Sequence, residues 1–285
     1  MAERQRVVAR VVNGQPASDG AGVRLLRILG TQSLDHHDPF LLLDEFRNEN
    51  PDDYIAGFPA HPHRGFETVT YMLEGLMRHE DSVGNNGLLT PGSVQWMTAG
   101  QGIIHSEMPE QSNGLLWGYQ LWVNLPASLK MAEPRYQDIP AEQIPETSDL
   151  GQRVRIIAGE HAGVAGAAET LTGVTYLDVH LEPGATFAHD LAEGHNSLAY
   201  VYEGALTGVD TVGRSVEIGR QQLGILSPFG AVSLTAETGA RFLFIAGAPI
   251  NEPVERMGPF VMNTREELMQ AAQEYRAGTF ATKPH

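Results

Sequence analysis

Two short histidine-bearing motifs constrain this chain most. His61-Pro62-His63 comes just before the run Thr68–Leu73, and His105-Ser106-Glu107 just after Gly100-Gln101-Gly102-Ile103-Ile104. On a β-strand, residues i and i+2 face the same side, so each motif aims its two side chains at one face. Two such pairs on neighbouring strands bring three imidazoles and a carboxylate to one point. That donor set suits a divalent first-row metal and leaves positions open for substrate or dioxygen. A His-x-His alone is more often a polar strand face or a loop, and His105-x-Glu107 alone says less still. The combination, with Gly and Pro turns delimiting each strand, makes a metal site the better reading. Spacing leaves one choice open, because Glu67 also has the parity to face the side of His61 and His63.

Composition supports a β-rich scaffold and narrows the partners. The 31 Gly and 17 Pro in 285 residues call for many turns, as an all-β protein needs. Lys and Arg total 19 against 35 Asp and Glu, a net charge of −16. Such a surface repels phosphate backbones, so direct nucleic-acid binding is disfavoured. With no cysteine, disulfides, thiolate ligation and Cys nucleophiles are excluded. The N-terminal stretch lacks the apolar core of a signal peptide, and no run of ~18 apolar residues is present to span a membrane. A cytoplasmic protein without membrane contact is expected.

Along the chain, Arg6–Val12 and Val23–Leu29 read as strands around a Gly/Ser/Asp-rich turn at Asn13–Gly22. Asp35-His36-His37-Asp38 looks like a ligand cluster, but consecutive strand residues face opposite sides and Pro39 follows, so a solvated loop is expected. Phe40–Leu43 reads as a buried strand ending at Asp44-Glu45-Phe46. His79, Glu80 and Asp81 fit the polar edge of a hairpin turning at Asn85-Asn86-Gly87 better than a second metal site. Trp96, Trp117 and Trp122 suit either barrel core or an aromatic wall for a flat substrate. Leu116–Leu125 is a strand candidate, and Pro126–Asp149 reads as the connection between two domains. At the end, Thr264-Arg265-Glu266-Glu267 forms a capping box. Leu268, Ala271, Ala272 and Tyr275 then follow a helical stripe, and Gly278 provides the stop.

The motif HxHxxxE with its Gly, a Pro-Gly turn and a third His resembles the two-part signature of cupin β-barrels. More specifically, HPHRGFETVTYMLEG, QWMTAGQGIIHSE, DPFLLLDEF (38–46) and GPFVMNT (258–264) resemble the pirin family from about Leu34 to Tyr275. The resemblance implies an all-β bicupin, two cupin-type barrels in tandem with a short C-terminal α-helix at about 264–277. The expected division is 1–135 for a metal-binding barrel and 136–285 for a second barrel without metal ligands. It implies one divalent metal per chain, iron(II) with other first-row metals admissible, held by His61, His63, His105 and Glu107. General cupins often use the Glu after HxH, here Glu67; the pirin resemblance chooses Glu107.

The second half supports two barrels by a weak internal repeat. Leu198–Gly204 (LAYVYEG) resembles Val69–Gly75 (VTYMLEG), 129 residues earlier. At that offset His61, His63 and Glu67 fall on Asp190, Ala192 and Asn196. Ser227–Ser233 looks like the cupin turn with Ser233 in place of its His. His189 and His195 are not expected to form a metal pair.

A site of this kind can activate dioxygen, act as a Lewis acid or serve metal-responsive binding. The pirin resemblance implies a quercetin 2,3-dioxygenase-type enzyme that cleaves a flavonol or similar aromatic enol with O2 and releases carbon monoxide, Glu107 being the catalytic base. The competing implication is a metal- or redox-responsive regulator that binds a transcription factor or metabolic enzyme as protein partner.

Overall fold

The computed structural model describes residues 5–281, and these form two compact units whose ends are exchanged. Of the described residues, one unit comprises 15–141 with 250–281, the other 5–14 with 142–249. The fold is mostly β, as expected. The expected boundary at 135/136 falls inside the strand Arg135–Ile139, which pairs with Val94–Thr98 and so stays with the first unit. Two corrections follow from pairing and packing. The N-terminal strand Val8–Asn13 belongs to the second unit, where it pairs antiparallel with Gln222–Leu226. The C-terminal helix belongs to the first unit, because Leu268, Ala271 and Ala272 bury against Phe260, Met262, Phe280 and Ile104.

In the first unit a seven-stranded sheet faces a four-stranded one. Within the larger sheet, Phe66–Glu74 and Phe40–Asn48 flank the strand Leu116–Asn124, and Val23–Leu29 lies beyond Phe40–Asn48. The smaller sheet runs Phe58–His63, Ile103–Pro109, Met77–Asp81, Asn86–Leu89. Every residue from Phe40 to Phe46 is buried, which explains why this strand reads as a continuous apolar run instead of an alternating one.

Several local expectations shift by a strand. Gln15–Asp19, inside the expected turn, pairs with Val23–Leu29. The supposed connection 126–149 contains the strands Arg135–Ile139 and Glu146–Asp149. Both carry mixed polar sequences whose edge pairing leaves little apolar periodicity to read. The hairpin after Asp81 turns at residues 82–85, and Asn86-Gly87 already begin the next strand. The helix spans Arg265–Arg276, with Thr264 Oγ1 accepting from the Glu267 N–H at 3.2 Å and Glu267 Oε2 accepting from the Thr264 N–H at 3.0 Å.

The second unit repeats the order of the first. Thr175–Leu181, Ala240–Gly247 and Asn196–Val209 are neighbours in its large sheet, and the short strand Ala185–His189 pairs with Val232–Ala236. Its interior is apolar, built on Ile156, Leu177, Phe187, Val201, Phe242 and Phe244. Among the described residues, no helix is long and apolar enough to cross a membrane.

Candidate metal centre

Strand pairing places the two histidine motifs side by side. His105 lies opposite His61 in the ladder between Ile103–Pro109 and Phe58–His63, and Ile103 lies opposite His63. A register shift follows, so Glu107 pairs with Phe58. The Nε2 atoms converge, with His61 3.0 Å from His63 and His105 2.9 Å from His61. Two donors ~2.1 Å from one ion and at right angles to each other stand about 3.0 Å apart, whereas tetrahedral donors stand about 3.4 Å apart. The imidazoles thus fit a first-row metal with several open positions. They are the one group of three or more potential ligands drawn within 4.8 Å of one another among the described residues.

The protein orients these rings. The Nδ1–H of His61 donates to the Pro59 carbonyl at 2.8 Å, which leaves the Nε2 lone pair for the centre. His105 Nδ1 faces Nδ1 of the fully buried His79 at 3.4 Å. Burial first, and then the neighbouring histidines, hold His63 and His105 well below the ordinary imidazole pKa. Both rings are therefore neutral, as ligands must be.

His79, expected on the polar edge of a hairpin, is instead fully buried beside His105. It alternates with Glu80 along Met77–Asp81, pointing inward where Glu80 points out, and strand parity with Met77 was its available signal. Arg64, between the motifs, joins Gln101 O and the helix residue Glu274 at 2.6 Å. It braces the His-x-His strand against the C-terminal helix.

The two candidate carboxylates part company. Glu107 lines the same cavity as His61 and His63. Its Oε1 accepts from Thr70 Oγ1 at 2.6 Å and its Oε2 from Gln120 Nε2 at 2.8 Å, so it stands outside the compact imidazole group. Glu67 is fully buried and accepts from Thr98 Oγ1 at 2.7 Å, and burial raises its pKa. The parity argument fails for Glu67 because Gly65, at φ +89°, breaks the strand between it and His63. A side chain at Gly65 would stand 1.9 Å from Val261 O, so the break is fixed by close packing.

The cavity, about 620 Å³, has a floor on the larger sheet and the histidines opposite. Its floor carries Leu25 and Arg27, then Leu42, Asp44 and Phe46, then Gln120 and Trp122. Gln120 and Trp122, both half-buried, alternate with the buried Leu121 and Val123, as one face of a strand requires. The tryptophans divide accordingly. Trp96 is wholly buried; Trp117 is buried with its Nε1–H donating to Glu45 at 2.8 Å; Trp122 packs edge-on to His63, centroids 5.2 Å apart, and lines the cavity. The stretch 35–38 supplies no ligands: His36 pairs with Asp35 at 3.0 Å on the surface, and Asp38 accepts from the Asn251 N–H at 2.7 Å.

Residues 22–123 match the pirin family and residues 176–281 the pirin C-terminal cupin domain. The chain belongs to the pirin family. A Pseudomonas aeruginosa relative provisionally named a quercetin 2,3-dioxygenase is 54% identical over 284 residues, covering 98% of this chain and 99% of that one. Human pirin is 42% identical, covering 97% and 94%. The crystal structure of a quercetin 2,3-dioxygenase from Acinetobacter baumannii superposes with a TM-score of 0.89 at 36% identity, covering 98% and 99%. Like these pirins, the chain is two cupin domains, and its His61/His63/His105 group can hold a metal ion.

Proposed function

We propose that this pirin is a metal-dependent dioxygenase of the quercetin 2,3-dioxygenase type, acting on a flavonol or a similar aromatic enol. The observation that carries the proposal is the convergence of three imidazoles, two of which, His61 and His63, line a cavity that also holds Glu107 and Trp122. The names of the Pseudomonas and Acinetobacter relatives favour the same chemistry.

In this reading His61, His63 and His105 hold the ion through Nε2, Glu107 is the fourth ligand, and iron(II) is the metal of the working enzyme. When bound, the ion supplies a Lewis-acidic, redox-active centre for an ionised hydroxyl and dioxygen. The chain's own groups do the rest. Trp122, Phe46 and Leu42 offer flat apolar surface to the rings and exclude water. Glu107 accepts the proton of the substrate hydroxyl at a carboxylate oxygen, which Thr70 and Gln120 keep aimed into the cavity. Glu67, turned to Thr98, takes no part.

The test is oxygen uptake by iron-loaded protein with 3-hydroxyflavones. Glu107→Gln is expected to lose turnover by on the order of 10²-fold while keeping most of its iron, because an amide still ligates weakly but takes no proton. Flavones lacking the 3-hydroxyl are expected to be inert. Iron-loaded protein that consumes no oxygen with any 3-hydroxyflavone overturns the proposal.

A further inference from the structure

One cationic group in the cavity has no role in the chemistry above. Arg256 sits in the short hairpin whose strands are Glu255–Met257 and Phe260–Met262, and it lines the cavity together with Gly258 and Pro259 of the turn. Its guanidinium lies 4.9 Å from the centroid of Trp122, the ring that packs against His63. Three other arginines of this unit are neutralised at close range, Arg24 by Asp53 at 3.1 Å, Arg27 by Asp19 and Asp44 at 2.7 Å and Arg64 by Glu274 at 2.6 Å. Arg256 makes no ion pair with any described residue, although acidic side chains outnumber basic ones by 35 to 19 in this chain.

The setting leaves the charge short of a partner. Arg256 remains open to the cavity yet is flanked closely enough that desolvation, and then the like charge of Arg27, lower its pKa. Asp35, Asp44 and Asp19 act on it only through space, and Arg27 occupies both oxygens of Asp44, at 2.9 and 2.7 Å. A guanidinium with free donors beside an aromatic wall is suited to a planar anion, since its fork matches a carboxylate in two parallel hydrogen bonds. Arg256 is exposed where it lines the cavity, so the donors that Trp122 does not cover are free to meet a ligand entering there.

We propose that Arg256 and Trp122 form an anion subsite that selects planar hydroxy-aromatic acids, with the carboxylate on Arg256, the ring along Trp122 and the hydroxyl directed toward the histidines. This rests on the cavity being the substrate site, as in the reading above, and adds a preference for those aromatic enols that carry a carboxylate. It needs no metal to be tested.

The experiment is calorimetric titration of 3-hydroxy- and 6-hydroxy-2-naphthoate, each beside its neutral naphthamide, into metal-free protein. Wild type is expected to bind at least one acid ten-fold or more tightly than the matching amide. That preference is expected to shrink below three-fold in Arg256→Gln and to be largely kept in Arg256→Lys, thermal unfolding confirming that both variants are folded. Equal binding of acids and amides by wild type, no binding of either acid, or an undiminished preference in Arg256→Gln overturns the proposal. Oxygen uptake by the wild-type protein with flavonols tests the dioxygenase reading separately: its failure leaves an acid preference standing, and equal binding of acids and amides by wild type leaves the dioxygenase reading standing.

Discussion

In the first barrel the strand pair Phe58–His63 and Ile103–Pro109 turns imidazoles inward; in the second the pair Ala185–His189 and Val232–Ala236 turns in Ala185, Phe187, Val232 and Leu234. The two ladders can be laid on each other through their registers. His61 faces His105 and His63 faces Ile103, while Phe187 faces Leu234 and His189 faces Val232. Phe187 therefore stands where His61 stands, His189 where His63 stands, and Leu234 where His105 stands. This corrects the equivalences drawn at a constant offset, which put Asp190 and Ala192 in place of His61 and His63, and the cupin-turn reading, which put Ser233 in place of the third histidine. Ser233 alternates with the inward Val232 and Leu234 and so faces away. The same scaffold position is thus polar in one barrel and packed in the other, Phe187 meeting Phe242 edge-on and Phe244 at a tilt, with ring centroids 5.4 and 5.2 Å apart. The inward imidazole of this strand pair, His189, meets the buried His161 at 3.0 Å.

The most severe test of this contrast is removal of an inward histidine from each barrel. His63→Ala is expected to abolish stoichiometric metal binding in a protein that stays folded, whereas His189→Ala leaves elemental analysis at one ion per chain. A tightly bound second ion that survives loss of His61 and His63 together would break the comparison. The converse test is gain of function. Phe187→His combined with Leu234→His should complete three imidazoles around the position of His189, raising the content toward two ions per chain with the added one weaker. Unchanged stoichiometry in a folded double variant would show that the register equivalence is wrong.

The smallest effect concerns protons. Burial, and then the charge of His161, push His189 down to about 4, against ~6.5 in the unfolded chain. Between those values the unfolded state binds the extra proton, so the stability that His189 allows is complete above pH ~6.5 and is lost as pH falls toward 4. The shift corresponds to roughly 3 kcal/mol across that window. Denaturant titrations of metal-free wild type and His189→Phe at pH 7 and 4.5 measure it, the variant losing less stability on acidification. Equal losses would remove His189 as a cause.

Much of this molecule could be read directly. Strand parity put His61 and His63 on one face, the apolar run marked Phe40–Leu43 as buried strand, and the Thr264 capping box set the helix start, because each depends on residues a few positions apart. The family, too, is written in contiguous motifs. Tertiary structure alone decided the rest. It sent Glu67 to Thr98 and Glu107 to the cavity, since a left-handed glycine at position 65 cancels the parity that sequence carries across it. It made Trp122 a wall and Trp96 core, brought His79 beneath His105, exchanged the chain ends between units and carried Arg256 to a site built nearly 200 residues earlier. Periodicity tells which residues share a face of one strand. Which faces meet is settled only when distant strands pair and exclude water between them.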